Sequence, residues 1–139
     1  MLPRIKKNGY LPKGMHKATP EEIKKAFGSG SVRRADLLKG FVDLIKLIRK
    51  FKDKIIMFLI DGSFIASHDS PQDIDCILVV ANDFDFNSSL AILLQKAKTL
   101  FHAHLFMYLE KDINQYESMI KFFSTDRNQQ EKGIVEVIL

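Results

Sequence analysis

Short runs rich in β-branched and aromatic residues recur at Lys54–Ile60, Asp73–Val80, His102–Leu109 and Gly133–Leu139, each of strand length and bounded by turn residues. Ahead of them the period changes. Leu37, Leu38, Phe41, Leu44, Ile45, Ile48 and Phe51 recur at helical spacing, with Arg33, Arg34, Lys39, Lys46, Arg49 and Lys50 mostly between them. This predicts a basic amphipathic helix from about Val32 to Phe51, lying on an apolar surface.

Three further helices are marked by their ends. Thr19-Pro20-Glu21-Glu22 offers a capping threonine, a proline suited to the first helical position and a capping-box glutamate, so a short helix spans 20–27 and stops at Gly28-Ser29-Gly30. SSLAILLQKAKTLF, residues 88–101, reads as a helix capped by Asn87 or Ser88, and DINQYESMIKFF as one capped by Asp112. Residues 1–18, with Pro3, Gly9, Pro12 and Gly14, read as an extended arm. The order helix, helix, strand, strand, helix, strand, helix, strand predicts one α+β domain over 1–139, with helices packed on a small mixed β-sheet.

Composition narrows the class. The 139 residues, 46% hydrophobic and 27% charged, suit one globular domain. The apolar runs fall short of the ~20 residues that span a bilayer, and the first residues lack the apolar core of a signal peptide. The expectation is a cytoplasmic protein with no membrane partner. Cys76 is the only cysteine, which excludes an intrachain disulfide and a multi-thiolate metal site; within an apolar strand it reads as a small buried filler. The net charge of +4 conceals an asymmetry: residues 1–54 carry 15 Lys or Arg against 5 Asp or Glu, and the rest carry 6 against 12. The basic half reads either as solvated helix faces or as the footprint of a nucleic-acid partner.

The candidate chemistry lies in DGSFIASHDSPQDID, residues 61–75, between two of the predicted strands. In a strand starting at Asp73, Asp73 and Asp75 point the same way. Two neighbouring carboxylates repel unless a cation sits between them, and oxygen ligands suit Mg²⁺ or Mn²⁺. Such ions complete their shell with waters and substrate phosphates, which implies a nucleoside triphosphate. Gly62-Ser63 is a candidate phosphate holder, through close backbone approach and the Ser63 hydroxyl. The connection 61–72 is also long for a hairpin. Plain alternatives stand beside this reading: Asp73 capping a turn after Pro71, Asp75 pairing with a basic residue, and Gly62-Ser63 as a turn only.

Gly62-Ser63, nine intervening residues, then Asp73-Ile-Asp75 and a hydrophobic strand resemble the signature of the nucleotidyltransferase superfamily, typified by DNA polymerase beta and small antitoxin and antibiotic-modifying enzymes. GYLPKGMHKATPEEIKKAF, DGSFIASHDSPQDID and STDRNQQEKGIVEVIL together resemble a family of short bacterial nucleotidyltransferase-like proteins over nearly the whole chain. The resemblance implies a nucleotidyltransferase-like sheet and metal-dependent transfer of a nucleotidyl group to an acceptor, a protein or nucleic acid among the candidates. It implies that Asp73 and Asp75 hold the metal and that Gly62 and Ser63 hold the triphosphate.

It also implies a third acidic residue on a later strand. The segment there reads HAHLFMYL, and the aligned residue is His104. His104 is therefore the candidate third catalytic residue, as a Mn²⁺ ligand or general base, with His102 expected on the same strand face. Asp83, Asp85, Glu110 and Asp112 reach that position only if the alignment slips. His68 is a candidate phosphate contact or a loop residue without a role. The competing reading is a catalytically degenerate nucleotidyltransferase fold that binds a nucleotide, a nucleic acid or a protein without turnover.

Overall fold

In a computed structural model describing residues 1–139, the chain forms strand β1 (Gly14–Ala18), helices α1 (Pro20–Phe27) and α2 (Val32–Arg49), strands β2 (Ile55–Asp61) and β3 (Ile74–Val80), helices α3 (Ser89–Gln95) and α4 (Ala97–Phe101), strand β4 (Ala103–Leu109), helix α5 (Ile113–Phe123) and strand β5 (Gly133–Val137). The protein is α+β, with one mixed five-stranded sheet in the order β1-β5-β2-β3-β4. β2 runs antiparallel to both neighbours, β3 and β5, while the outer pairs β1–β5 and β3–β4 are parallel. No helix is long and apolar enough to cross a membrane.

Alternation along the strands sorts the side chains onto two faces. Phe58 and Ile60 of β2, Cys76 and Leu78 of β3 and Val135 of β5 join the main core with Leu37, Phe41, Leu44 and Ile48 of α2. Leu59, Ile77, Val79 and Ile134 form a second cluster on the opposite face, where Tyr116, Met119, Ile120 and Phe123 of α5 cover it. Cys76 is buried in the main core, as expected.

Most elements lie close to their predicted positions, and the departures have local causes. Residues 14–18 of the arm pair with β5, so the sheet gains a fifth strand. The segment 88–101 breaks at Lys96 into α3 and α4; Ser88 caps the first by accepting from the Ala91 N–H, while Asp112 makes no side-chain cap on α5. His102 lies outside β4, in the left-handed conformation that ends α4 (φ 55°), so it does not share a strand face with His104. β2 extends one residue past its expected end, to Asp61, and β3 starts one residue late, leaving Asp73 just outside it.

Arg34 was expected among the basic residues of α2, yet it is buried. Its guanidinium donates to the carbonyls of Phe27 (3.0 Å), Ser63 (3.3 Å), Phe64 (2.7 Å), Ala66 and His68 (2.7 Å). Arg33 donates to the carbonyls of Pro71 and Gln72. The first turn of α2 thus clamps the connection between β2 and β3, where irregular backbone leaves carbonyls without ladder partners. Truncating Arg34 orphans several of these acceptors at once. Arg34→Met should destabilise the fold by roughly 3 kcal/mol or more in urea unfolding, well beyond the loss from Arg33→Met. Equal effects of the two variants would contradict the clamp.

Candidate functional site

The antiparallel β2–β3 ladder sets Asp61 opposite Asp75, and the parallel β3–β4 ladder sets Asp75 opposite His104. These residues alternate with the core-facing positions, so all three stand in one cross-strand row on the face that α5 covers. Asp73, just before β3, adds a further carboxylate beside Asp75. Ligand atoms of Asp73, Asp75 and His104 lie within 4.8 Å of one another, close enough for side-chain rotation to gather them around an ion with ligand distances of roughly 2.1 Å. The donor set of two carboxylates and an imidazole fits a hard divalent cation, Mn²⁺ more readily than Mg²⁺ if the imidazole takes part.

Gly62 follows Asp61 at a sharp bend with φ 86°, a conformation that favours glycine. Packing makes the same demand. A Cβ at Gly62 would sit 2.3 Å from the Asp75 Oδ2, so the missing side chain is what lets that carboxylate lie against the turn. Ser63 opens a single 3₁₀ turn over Ser63–Ile65, whose Ser63 and Phe64 carbonyls are held by Arg34. The turn and the Asp75 carboxylate are therefore in contact.

Asp75 is partly exposed, and its carboxyl is pushed up by burial and by the charge of Asp73, with His104 and Lys132 pulling the other way. His104 has its Nδ1 3.8 Å from the Asp75 Oδ1, and its ring packs against Phe106 with centroids 4.3 Å apart. The remaining candidates fall elsewhere. The His68 carbonyl accepts from Arg34 and its Nδ1 from the Ser70 N–H. Asp83, Asp85, Glu110 and Asp112 follow the far ends of β3 and β4, with Asp83 paired to Lys54 at 2.7 Å.

Asp61 is the residue the sequence reading missed. Only 2% exposed, it lines a cleft of about 730 Å³ with Asp75, Tyr10, Asp126 and Lys132, and its Oδ2 has no hydrogen-bond partner. The Lys132 Nζ is 3.9 Å away, an ionic contact beyond hydrogen-bond length. Its signal was one of register: with β2 extended to Asp61, the alternation Met57, Leu59, Asp61 puts it on the Asp75 face. Tyr10, from the arm, donates to the Asp126 Oδ2 at 2.9 Å and closes one wall. Phe122, Phe123 and Asp75 also line a neighbouring, mostly apolar cleft of about 550 Å³, together with His104 and Phe106. The cations in the larger cleft, Arg127 and Lys132, come from the acidic half of the chain.

Fold and site together define an α+β protein with an acidic cluster and an imidazole at the ends of three neighbouring strands, beside a cleft that brings in two cations. The chain belongs to the family of unknown function DUF6932, whose match covers residues 3–138. No curated protein and no solved structure matches it.

Burial pushes the Asp61 carboxyl from 3.8 up to about 6, against the pull of Lys132. Between about pH 3.8 and 6 the folded chain therefore keeps a proton there that the unfolded chain has released, and above that range the carboxylate is ionised. This contribution to stability is full below about pH 3.8 and is lost as the pH rises through about 6, a change on the order of 3 kcal/mol. In chelator-treated protein, the stability of Asp61→Asn relative to the parent should rise by that order between pH 4 and pH 7. A difference that stays flat with pH would contradict the placement of Asp61.

Proposed function

We propose that this protein is a divalent-metal-dependent nucleotidyltransferase, which takes a nucleoside triphosphate and transfers its nucleotidyl group to a hydroxyl of a protein, nucleic-acid or other acceptor bound in the cleft. The observation that carries the reading is the contact between the Gly62-Ser63 turn and the carboxylate of Asp75, with donor atoms of Asp73 and His104 gathered beside it. A phosphate-approaching turn and a cation-binding cluster are the two parts that such a reaction requires in one place.

In this reading Asp73 and Asp75 hold Mg²⁺ or Mn²⁺, and Gly62 and Ser63 face the triphosphate. The cation would supply neutralisation of phosphate charge and Lewis-acid polarisation at the reacting phosphoryl group. Lys132, in the cleft beside Asp61, adds a fixed positive charge suited to phosphate oxygens. The acceptor oxygen forms a bond to the α-phosphorus while the bond from that phosphorus to the bridging oxygen breaks. Pyrophosphate leaves, and the hydroxyl proton passes to a base or to solvent. Tyr10, Phe122 and Phe123 line the cleft in which the acceptor would bind. The protein is read as cytoplasmic, where nucleoside triphosphates are available.

A second reading, nucleotide binding without turnover, is favoured by His104, an imidazole on β4 at the position where the resemblance implies a carboxylate. Pyrophosphate release with each nucleoside triphosphate and Mg²⁺ or Mn²⁺, followed by mass spectrometry of acceptors, separates the two. Transfer should fall at least a hundredfold in Asp75→Asn and Asp73→Asn. Metal-dependent nucleotide binding with neither pyrophosphate nor adduct would replace the enzyme reading by the binding one; no nucleotide binding would remove both.

A further inference from the structure

The cross-strand row contains an acidic residue that the proposed centre does not use. Asp61 stands directly opposite Asp75, where facing residues of an antiparallel pair have Cβ atoms roughly 4.5–5.5 Å apart. Both side chains line the same cleft. A surface carboxylate in such a cluster would carry little meaning, but Asp61 is 2% exposed and its Oδ2 receives no hydrogen bond from any group of the protein. An ionised oxygen withdrawn from water normally has its acceptor capacity filled.

The charged groups around it narrow what is missing. Asp75 repels it, Asp126 is engaged by the Tyr10 hydroxyl, and Lys132 approaches to 3.9 Å without bonding. Lys132 is itself largely buried and lies 5.9 Å from the centre of the Tyr10 ring, so its ammonium occupies the space beside Asp61. The site has a carboxylate facing a neighbouring carboxylate, and only one monovalent cation, beyond hydrogen-bond length, to offset them.

We propose that Asp61 is the third carboxylate of the metal centre, supplied by β2 in place of one from β4, and that Lys132 is the counter-ion displaced when a divalent cation binds. This rests on the reading of Asp73 and Asp75 as metal ligands. It assigns His104 to the rim of the centre, where its side chain is 46% exposed and its ring packs on Phe106. Two metal-holding carboxylates then come from facing positions of β2 and β3, which the ladder keeps in fixed register, and Asp73 closes the third side.

Binding of Mn²⁺ alone to the full chain, followed by the loss of the free-ion EPR signal, tests the assignment without requiring turnover. Asp61→Asn keeps the shape of the side chain, removes its charge and exchanges one ligating oxygen for an amide NH2. It should weaken Mn²⁺ binding about tenfold or more, as should Asp75→Asn, whereas His104→Ala should stay within about threefold of the parent. Lys132→Met should tighten binding several-fold in the parent, and this gain should vanish in the Asp61→Asn background. Parent-like Mn²⁺ affinity in Asp61→Asn, alongside loss in Asp75→Asn, would overturn the role of Asp61 and leave the centre standing. Retention of the Lys132→Met gain without Asp61 would overturn the counter-ion exchange. No Mn²⁺ binding by the parent would remove the centre itself.

Discussion

Antiparallel pairing of Ile60 with Cys76 and Asp61 with Asp75 is the constraint on which the rest of the site depends. A slip of one residue would turn Asp61 into the main core and carry Ile60 to the opposite face, since side chains alternate strictly along a strand. The same register presents Gly62 to Asp75, where the absent Cβ leaves room for the carboxylate. The parallel β3–β4 pairing then brings His104 beside Asp75. Apolar burial enforces the register: Phe58, Ile60, Cys76 and Leu78 must meet α2, and Leu59, Ile77 and Val79 must meet α5.

The loop between these strands is held rather than left open. A chain that leaves a strand at Asp61 and returns at Ile74, with twelve residues between, must satisfy carbonyls that no ladder reaches. Here the buried guanidinium of Arg34, assisted by Arg33, satisfies several of them from the start of α2. Part of the basic charge that suggested a phosphate-rich partner is therefore spent on the fold itself. Lys132 and Arg127, which do reach the cleft, come from the half of the chain with the acidic balance. Net charge by segment was a poor guide to where positive charge meets the site, because the chain returns through β5 to lie beside β2.

The elements and the nearness of Gly62, Ser63, Asp73 and Asp75 could be read from the sequence, because periodicity and caps are local signals. What stayed hidden depends on pairing. Residues 14–18 look like any arm rich in turn formers until β5 offers them an edge. Arg34 follows Arg33 on an apparently basic helix, and only the position of the loop shows that one guanidinium turns inward. Asp61 fell one residue beyond the expected end of β2, and that boundary decided whether it counted as a loop residue or as the neighbour of Asp75. His102 erred in the opposite direction, since the backbone uses it to end α4 before the strand begins.

The account comes down to whether a divalent cation and a triphosphate meet between the Gly62-Ser63 turn and the carboxylates of β2 and β3. The most direct measurement is anomalous scattering from crystals grown with Mn²⁺ and non-hydrolysable nucleoside triphosphate analogues. The account predicts a manganese peak with carboxylate oxygens of Asp61, Asp73 and Asp75 in its shell, at roughly 2.1 Å, and phosphate density against Gly62 and Ser63. Manganese bound away from all three aspartates, or a nucleotide seated elsewhere on the protein, would contradict it.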